Sequence, residues 1–367
     1  MAPKYSNPLT LTHSLIRPWE RFWVDHYRFI LEKGYRLPNR YDPNWIPSWF
    51  GKKYNDKTKY ETEPDAVLLN AIRICDGKKV VLKRVSPKID VPILQLLNSP
   101  KLVADPRNNT VPLLDCIYLP EDEDTALIVM PLLLHFDDVA VPFRFVSEFV
   151  EAVDQFLKGL SFLHEHHIAH RDACYLKLMM DPSKVAPRGF HYQYPYYTED
   201  LKKSAKYLDR KSVSSVNYYF IDFETARILA PETYGDDPQF LGIIGQDKTV
   251  PEWSKPPQAY NPFRLDVYQL GGVIRRLVEE YDGLGSFLPL CGSVMKENPY
   301  ERLTAAEACG RFQSMVSAIT TLDLDSRVWP KTMSATRWRL IAGKSKGLLR
   351  RLWVPVYDFC QDDDDWS

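Results

Sequence analysis

Two short polar groups in this chain have the residue types for moving a phosphoryl group. Asp172 ends the triplet His170-Arg171-Asp172, and Asp222 follows the aromatic and β-branched run Tyr218-Tyr219-Phe220-Ile221. A carboxylate just after a helix can take up a proton from an attacking hydroxyl. A second carboxylate at a strand end can hold Mg²⁺ against nucleotide phosphates.

The elements that must position these groups are legible around them. Phe149, Val153, Phe156, Leu160 and Leu163 recur at four- and three-residue steps. That spacing predicts an amphipathic helix over 147–166 that delivers the chain to His170. Upstream, Ala71–Cys75 and Val80–Val85 flank Asp76-Gly77, a hairpin signal. A helical segment follows at Ile93–Leu97, and two further strands are predicted at Val111–Ile117 and Ala126–Pro131. Before them, residues 17–49 carry Trp19, Trp23, Trp45 and Trp49 among basic residues. Pro38, Pro43 and Pro47 break any long helix there, which predicts an ordered extended arm packing its rings onto the main body.

Composition bounds the function classes. The chain has 367 residues, 45% hydrophobic, enough to bury substantial cores. Forty-seven basic against 48 acidic residues leave a net charge of −1, so no global field favours nucleic acid or an anionic membrane. No run approaches the roughly 18 apolar residues needed to span a bilayer. The six cysteines are scattered without CxxC pairs and read as reduced thiols. Together with the absence of a secretory signal pattern over 1–17, this predicts an intracellular protein, cytoplasmic or nuclear.

In the order VVLK (80–83), HRD (170–172), DF (222–223), VPE (250–252), DVYQLGG (266–272) and ERLTAAEA (301–308), the chain resembles the eukaryotic protein-kinase superfamily. It is most like the kinase-like proteins of basidiomycete fungi. The resemblance implies an α+β, two-lobed protein-kinase-like fold, with a small, mostly antiparallel β lobe carrying one helix and a larger, mainly α lobe. The corresponding domains are an arm (1–64), a small lobe (65–131), a large lobe (132–325) with an insertion at 182–216, and a basic/acidic tail (326–367). It further implies Asp172 as catalytic base beside His170 and Arg171, Asp222 as Mg²⁺ ligand, and Lys83 on the α/β-phosphates of ATP. By the same resemblance Met130 and Leu132 would stand at the adenine-binding hinge. Asp266 would hold the catalytic-loop backbone, and Arg302 would pair with Glu252.

Several parts depart from that pattern. No G-x-G-x-x-G precedes Lys83, so the phosphate-covering loop is absent or built differently, with the arm as one source. No glutamate stands on the helix after Lys83. Asp90 is a shorter candidate partner for that lysine, or only a helix N-cap. Lys177 replaces the second metal-binding asparagine, Cys174 the usual lysine, and Glu224 the glycine after Asp222-Phe223. An ammonium repels the ion that an asparagine would bind, but it can neutralise phosphate charge itself. Glu224 could take a remaining cation or pair with Lys177. The expectation is an ATP-binding domain with one Mg²⁺ at most and attenuated Ser/Thr-type transfer to a protein substrate. The alternative is a pseudokinase acting as a binding or scaffold module. A small-molecule phosphotransferase is disfavoured by Val250-Pro251-Glu252 and Arg302.

The remaining partners are weakly signalled. Aromatics and lysines in the insertion (Phe190–Tyr197, Lys202-Lys203) could stack on bases, although such loops more often pack their own rings. The tail interleaves Arg337–Arg351 with Trp and Leu, a pattern for weak surface contact. Thr225, Thr233, Tyr234 and Thr249 are candidate phosphate acceptors, with Arg171 the residue to receive the phosphate.

Overall fold

A computed structural model describes residues 16–46, 66–213, 215–242, 245–253 and 258–332. Five antiparallel strands form the main sheet: β1 (Tyr35–Arg36), β2 (Leu68–Arg73), β3 (Lys79–Val85), β4 (Asp115–Leu119) and β5 (Asp122–Pro131). Their spatial order is β1-β2-β3-β5-β4. The β2–β3 hairpin closes where Asp76-Gly77 predicts it. Gly77 adopts φ +69°, and the Arg73 amide donates to the Lys78 carbonyl at 2.8 Å. Asp76 grips the Arg73 guanidinium and the Lys78 amide, so Ile74 and Cys75 are turn residues and β2 lies earlier than the sequence suggests. Helices and short strands follow, making the fold α+β.

The arm differs from its extended prediction. It forms two short helices, Arg21–Asp25 and Tyr27–Glu32, and then supplies the edge strand β1. Proline spacing forbids a long helix but leaves room for two short ones ending before Pro38. Alternation along each strand decides what the arm covers. Val80 and Leu82 of β3, and Leu127 and Val129 of β5, face Trp23, Ile30, Tyr35, Leu37 and Tyr41 of the arm. Trp23 is 0% exposed, so the packing of this tryptophan expected from the sequence is found. A buried ion pair, Arg40 Nε to Glu20 Oε1 at 2.5 Å, fastens the arm to itself. The described arm therefore roofs one face of the sheet. Lys83 and Val85 lie on the opposite face, which Val85 and Ile128 share with the main core and the helix Val91–Leu97. Trp49, the polar stretch 51–64 and the tail beyond 332 lie outside the described residues.

The helix Val146–Glu165 is the centre of the second part, with Phe149, Val153, Phe156, Leu160 and Leu163 all buried. It packs against Ala305–Ser317, which opens with the expected capping box, the Glu307 amide on Thr304 Oγ1 at 3.2 Å and the Thr304 amide on Glu307 Oε2 at 2.7 Å. A third long helix, Pro262–Glu280, is capped by the Asn261 side chain. The insertion packs on its own body. Phe190 and Tyr207 are buried in the main core, the Tyr207 hydroxyl donates to Pro195 O at 2.6 Å, and Lys79 binds Glu199 at 2.8 Å.

Truncating Trp23 to Ala removes the largest ring between arm and sheet. A loss of about 3–5 kcal/mol is expected, read as a lowered urea midpoint. An unchanged midpoint would show that the arm adds nothing to the sheet.

Candidate functional site

The loop 168–173 is held from below by one buried carboxylate. Asp266, on Pro262–Glu280, is 0% exposed and accepts the His170 amide (2.8 Å), the Arg171 amide (2.6 Å) and His164 Nε2 (3.0 Å). One turn on, Gln269 Oε1 accepts the Ala173 amide at 2.9 Å. A carboxylate in an apolar helix is tolerated only with such donors. Asp266 matches its expected role. Gln269 was not singled out from the sequence, although its place three residues after Asp266, on the same helix face, is a usable signal.

His170 is fully buried and works as a spacer. Its Nε2–H donates to Ile221 O at 3.1 Å, and its Nδ1 accepts the Asp172 amide at 3.3 Å. Burial pushes its pKa down, in keeping with a neutral ring. Arg171, at φ +66°, is also buried. Its guanidinium takes the Tyr260 hydroxyl at 3.0 Å and Thr225 O at 3.1 Å, and lies 5.1 Å from the Phe240 ring centre. A tyrosine hydroxyl thus holds the group that the sequence suggests as a phosphate receiver. Of the candidate acceptors, Thr225 donates its hydroxyl to His170 O at 2.9 Å.

Backbone register brings Lys177 to Asp222. The short strands Leu178–Met180 and Tyr218–Phe220 pair with Leu178 opposite Phe220, and the Ile221 amide continues the ladder onto Lys177 O at 3.0 Å. Asp222 follows with φ 68° and ψ 67°, a left-handed conformation that costs a non-glycine residue about 1–3 kcal/mol. It turns the carboxylate toward two cations. Lys177 Nζ bonds Asp222 Oδ2, and Lys83 Nζ reaches Asp222 Oδ1 at 2.5 Å. Lys177 also lies 3.7 Å from Asp172 Oδ2, and Lys83 also pairs with Glu224.

The sequence-predicted residues Asp172, Lys177, Asp222, Lys83 and Glu224 are therefore one linked cluster, with different pairings from those expected. Glu224 binds Lys83 rather than Lys177, because the turn Phe223–Thr225 carries its side chain to the sheet lysine. Asp90 is not the partner of Lys83. Its Oδ2 accepts the Ser86 amide at 2.9 Å, its Oδ1 has no partner, and it does not cap the following helix. Met130 lies in the sheet opposite Val81, and the Leu132 amide makes only a long bond of 3.4 Å to Lys79 O. Farther off, Arg302 forms the expected pair with Glu252, with Nη2 to Oε2 at 3.1 Å and the Arg302 side chain 0% exposed.

Electrostatics explain why the cluster holds. Burial disfavours the charge on both lysines, but Asp222, together with Glu224 at Lys83 and Asp172 at Lys177, outweighs it and keeps each ammonium above its ordinary pKa. Burial alone would raise the Asp222 carboxyl. The lysines reverse this and hold it at about 2. Cys174, beside Asp172, is pushed up to about 12 by burial and then by that carboxylate, so it stays a thiol.

A bound Mg²⁺ would need an oxygen of Asp222, and both oxygens are bonded to ammoniums. At 4 Å and an effective dielectric of 20, a dication and one ammonium repel by about 8 kcal/mol. The donor set as it stands does not fit the ion, and among the described residues no cluster of three or more His, Cys, Asp or Glu has metal-binding geometry. No helix there is long and apolar enough to cross a membrane.

Asp222→Asn tests the cluster. Moving a carboxyl from 3.8 to about 2 corresponds to about 2.5 kcal/mol. The folded pKa is depressed, so this stabilisation is present above the unfolded value of 3.8 and fades as pH falls through 2. Urea titrations should show the variant less stable at pH 7, with the gap narrowing below pH 4. A gap independent of pH would contradict the ion pairs.

No protein-family model matches the chain, and no curated protein matches it.

Proposed function

We propose that this chain is a two-lobed protein-kinase-like domain that binds ATP and transfers its phosphate weakly to protein hydroxyls. The observation that carries this reading is the pair of ammoniums, Lys83 and Lys177, converging on Asp222 within reach of Asp172. Two lysines released from carboxylates by an incoming triphosphate can neutralise its charge. Asp172, fixed through the loop that Asp266 holds, can then accept the hydroxyl proton. Lys177 stands in for the second ion, and any Mg²⁺ must displace it. Positioning and charge supply most of the rate in phosphoryl transfer, so the substitution weakens turnover. The buried Arg302–Glu252 pair and the loop carried by Asp266 support a protein-substrate kinase arrangement. A binding or scaffold module without transfer is the second reading. The same lysines favour it by occupying both oxygens of Asp222.

ATP in EDTA should raise the melting temperature of the full chain, and Lys83→Ala should abolish the rise. At a hundredfold excess over Kd the stabilisation is about 2.7 kcal/mol. Radiolabelled phosphate transfer to a generic protein, lost in Asp172→Ala, separates the enzyme from the scaffold. No thermal response to ATP contradicts the nucleotide site altogether.

A further inference from the structure

The insertion that follows Asp181 is fixed at its root to the core around the helix Val146–Glu165. Arg210 is 1% exposed and donates to Phe136 O at 2.7 Å and to the Tyr218 hydroxyl at 3.1 Å. Its guanidinium lies 4.1 Å from the Phe143 ring centre. Phe190 and Tyr207 are buried in the same core, and the Leu208 amide donates to Val185 O at 2.8 Å. The tip of the insertion reaches the main sheet instead. Lys79, the first residue of β3, donates to Phe190 O at 3.0 Å and pairs with Glu199 at 2.8 Å. Gly189 makes room for that carboxylate. It adopts φ +70°, and a Cβ there would lie 2.7 Å from Glu199 Oε1.

This grip falls on one face of the strand. Lys79, Val81 and Lys83 alternate along β3 and share the face away from the arm. The two lysines are four residues of strand apart, about 13 Å between Cα atoms. Each is held by a carboxylate from outside the sheet, Lys83 by Asp222 and Lys79 by Glu199. Val81 stands between them opposite Met130, and the Leu132 amide donates to Lys79 O at 3.4 Å. If Lys83 takes the phosphates and Met130 and Leu132 the base, the Glu199 pair stands at the base end. The two holds differ in strength. The Asp222 side chain is 20% exposed, whereas that of Glu199 is 56% exposed. Water and salt screen the exposed pair, so it parts far more readily.

We propose that the insertion is a gate at the base end of the nucleotide site, latched to β3 by Lys79 through Glu199 and Phe190 O, and that nucleotide enters and leaves when this latch parts. The gate rests on the ATP-binding reading of the site and adds control of exchange to it. A fixed root, a carboxylate seated over a glycine at the tip and a weak, exposed ion pair are what a reversible latch needs. A brace that only keeps the insertion in place predicts unchanged exchange kinetics when it is loosened.

The test uses the full chain, a fluorescent ATP analogue followed by stopped flow, and two variants, Glu199→Gln and Lys79→Met. The gate predicts that association and dissociation rates rise together in both variants, by about fivefold or more, with Kd little changed. Charge alone predicts otherwise. Glu199→Gln removes a negative charge and Lys79→Met a positive one, so a purely electrostatic effect on the triphosphate shifts Kd in opposite directions. Hydrogen exchange without nucleotide reads the latch itself. The Gly189 and His191 amides, which donate to Ala186 O and Tyr197 O, should exchange faster in both variants while the Leu208 amide at the root stays protected. Unchanged binding rates, or Kd shifts of opposite sign, overturn the gate and leave the nucleotide site standing. Unchanged exchange at Gly189 and His191 also overturns the gate, because Lys79 then does not hold the tip. No binding of the analogue to the parent or either variant contradicts the nucleotide site, and the gate with it.

Discussion

Asp222 is held between Lys177 on one side and Lys83 on the other, and much of the molecule serves that arrangement. Lys83 is carried by the central strand of a sheet whose far face is closed by the arm. Lys177 is carried by a short strand locked in register with the run that ends at Asp222. The ion pairs therefore join the sheet to the paired strands Leu178–Met180 and Tyr218–Phe220. Their cost is desolvation of four charged groups, Glu224 being half exposed, and it is offset because every ammonium has at least two carboxylates near it. The left-handed backbone at Asp222 is tolerated on the same terms.

That constraint bears on chemistry as well as stability. A site of two lysines and three carboxylates has one net negative charge, and under the proposed reading its lysines exchange carboxylates for phosphate oxygens. A triphosphate can replace Asp222 and Glu224 as partner of the lysines, whereas a divalent cation must first expel an ammonium. The resulting expectation is a nucleotide site whose charge is balanced from the protein, with phosphoryl transfer the weaker of its capacities. Asp172 stands one step further back, oriented by the amides that Asp266 and Gln269 hold.

What could be read from the sequence follows a physical rule. Features set by local periodicity or chemistry were visible: the helix Val146–Glu165, the turn at Asp76-Gly77 and the capping box at Thr304 and Glu307. Asp266 was visible because a charged residue in apolar surroundings demands partners, and the Arg302–Glu252 pair was implied by the kinase resemblance alone. Features set by tertiary approach were not. Nothing local in residues 17–41 distinguishes an extended arm from two short helices and an edge strand. Sequence spacing does not assign Glu224 to a lysine, and only the turn at Phe223–Thr225 brings it to Lys83. Asp90 looked like a partner for Lys83 by position, yet its side chain turns back to Ser86. The bond from the Gln246 amide to Asp172 Oδ1 leaves no trace in the sequence, since a backbone amide has no sequence signature.

The metal dependence of ATP affinity, measured by calorimetry in the parent chain and in Lys177→Asn, tests the central claim most directly. If Lys177 occupies the ion's place, adding Mg²⁺ should change ATP affinity little in the parent. In Lys177→Asn it should improve affinity by about tenfold or more, equivalent to about 1.4 kcal/mol. A strong Mg²⁺ requirement in the parent, unaltered by Lys177→Asn, would contradict the account.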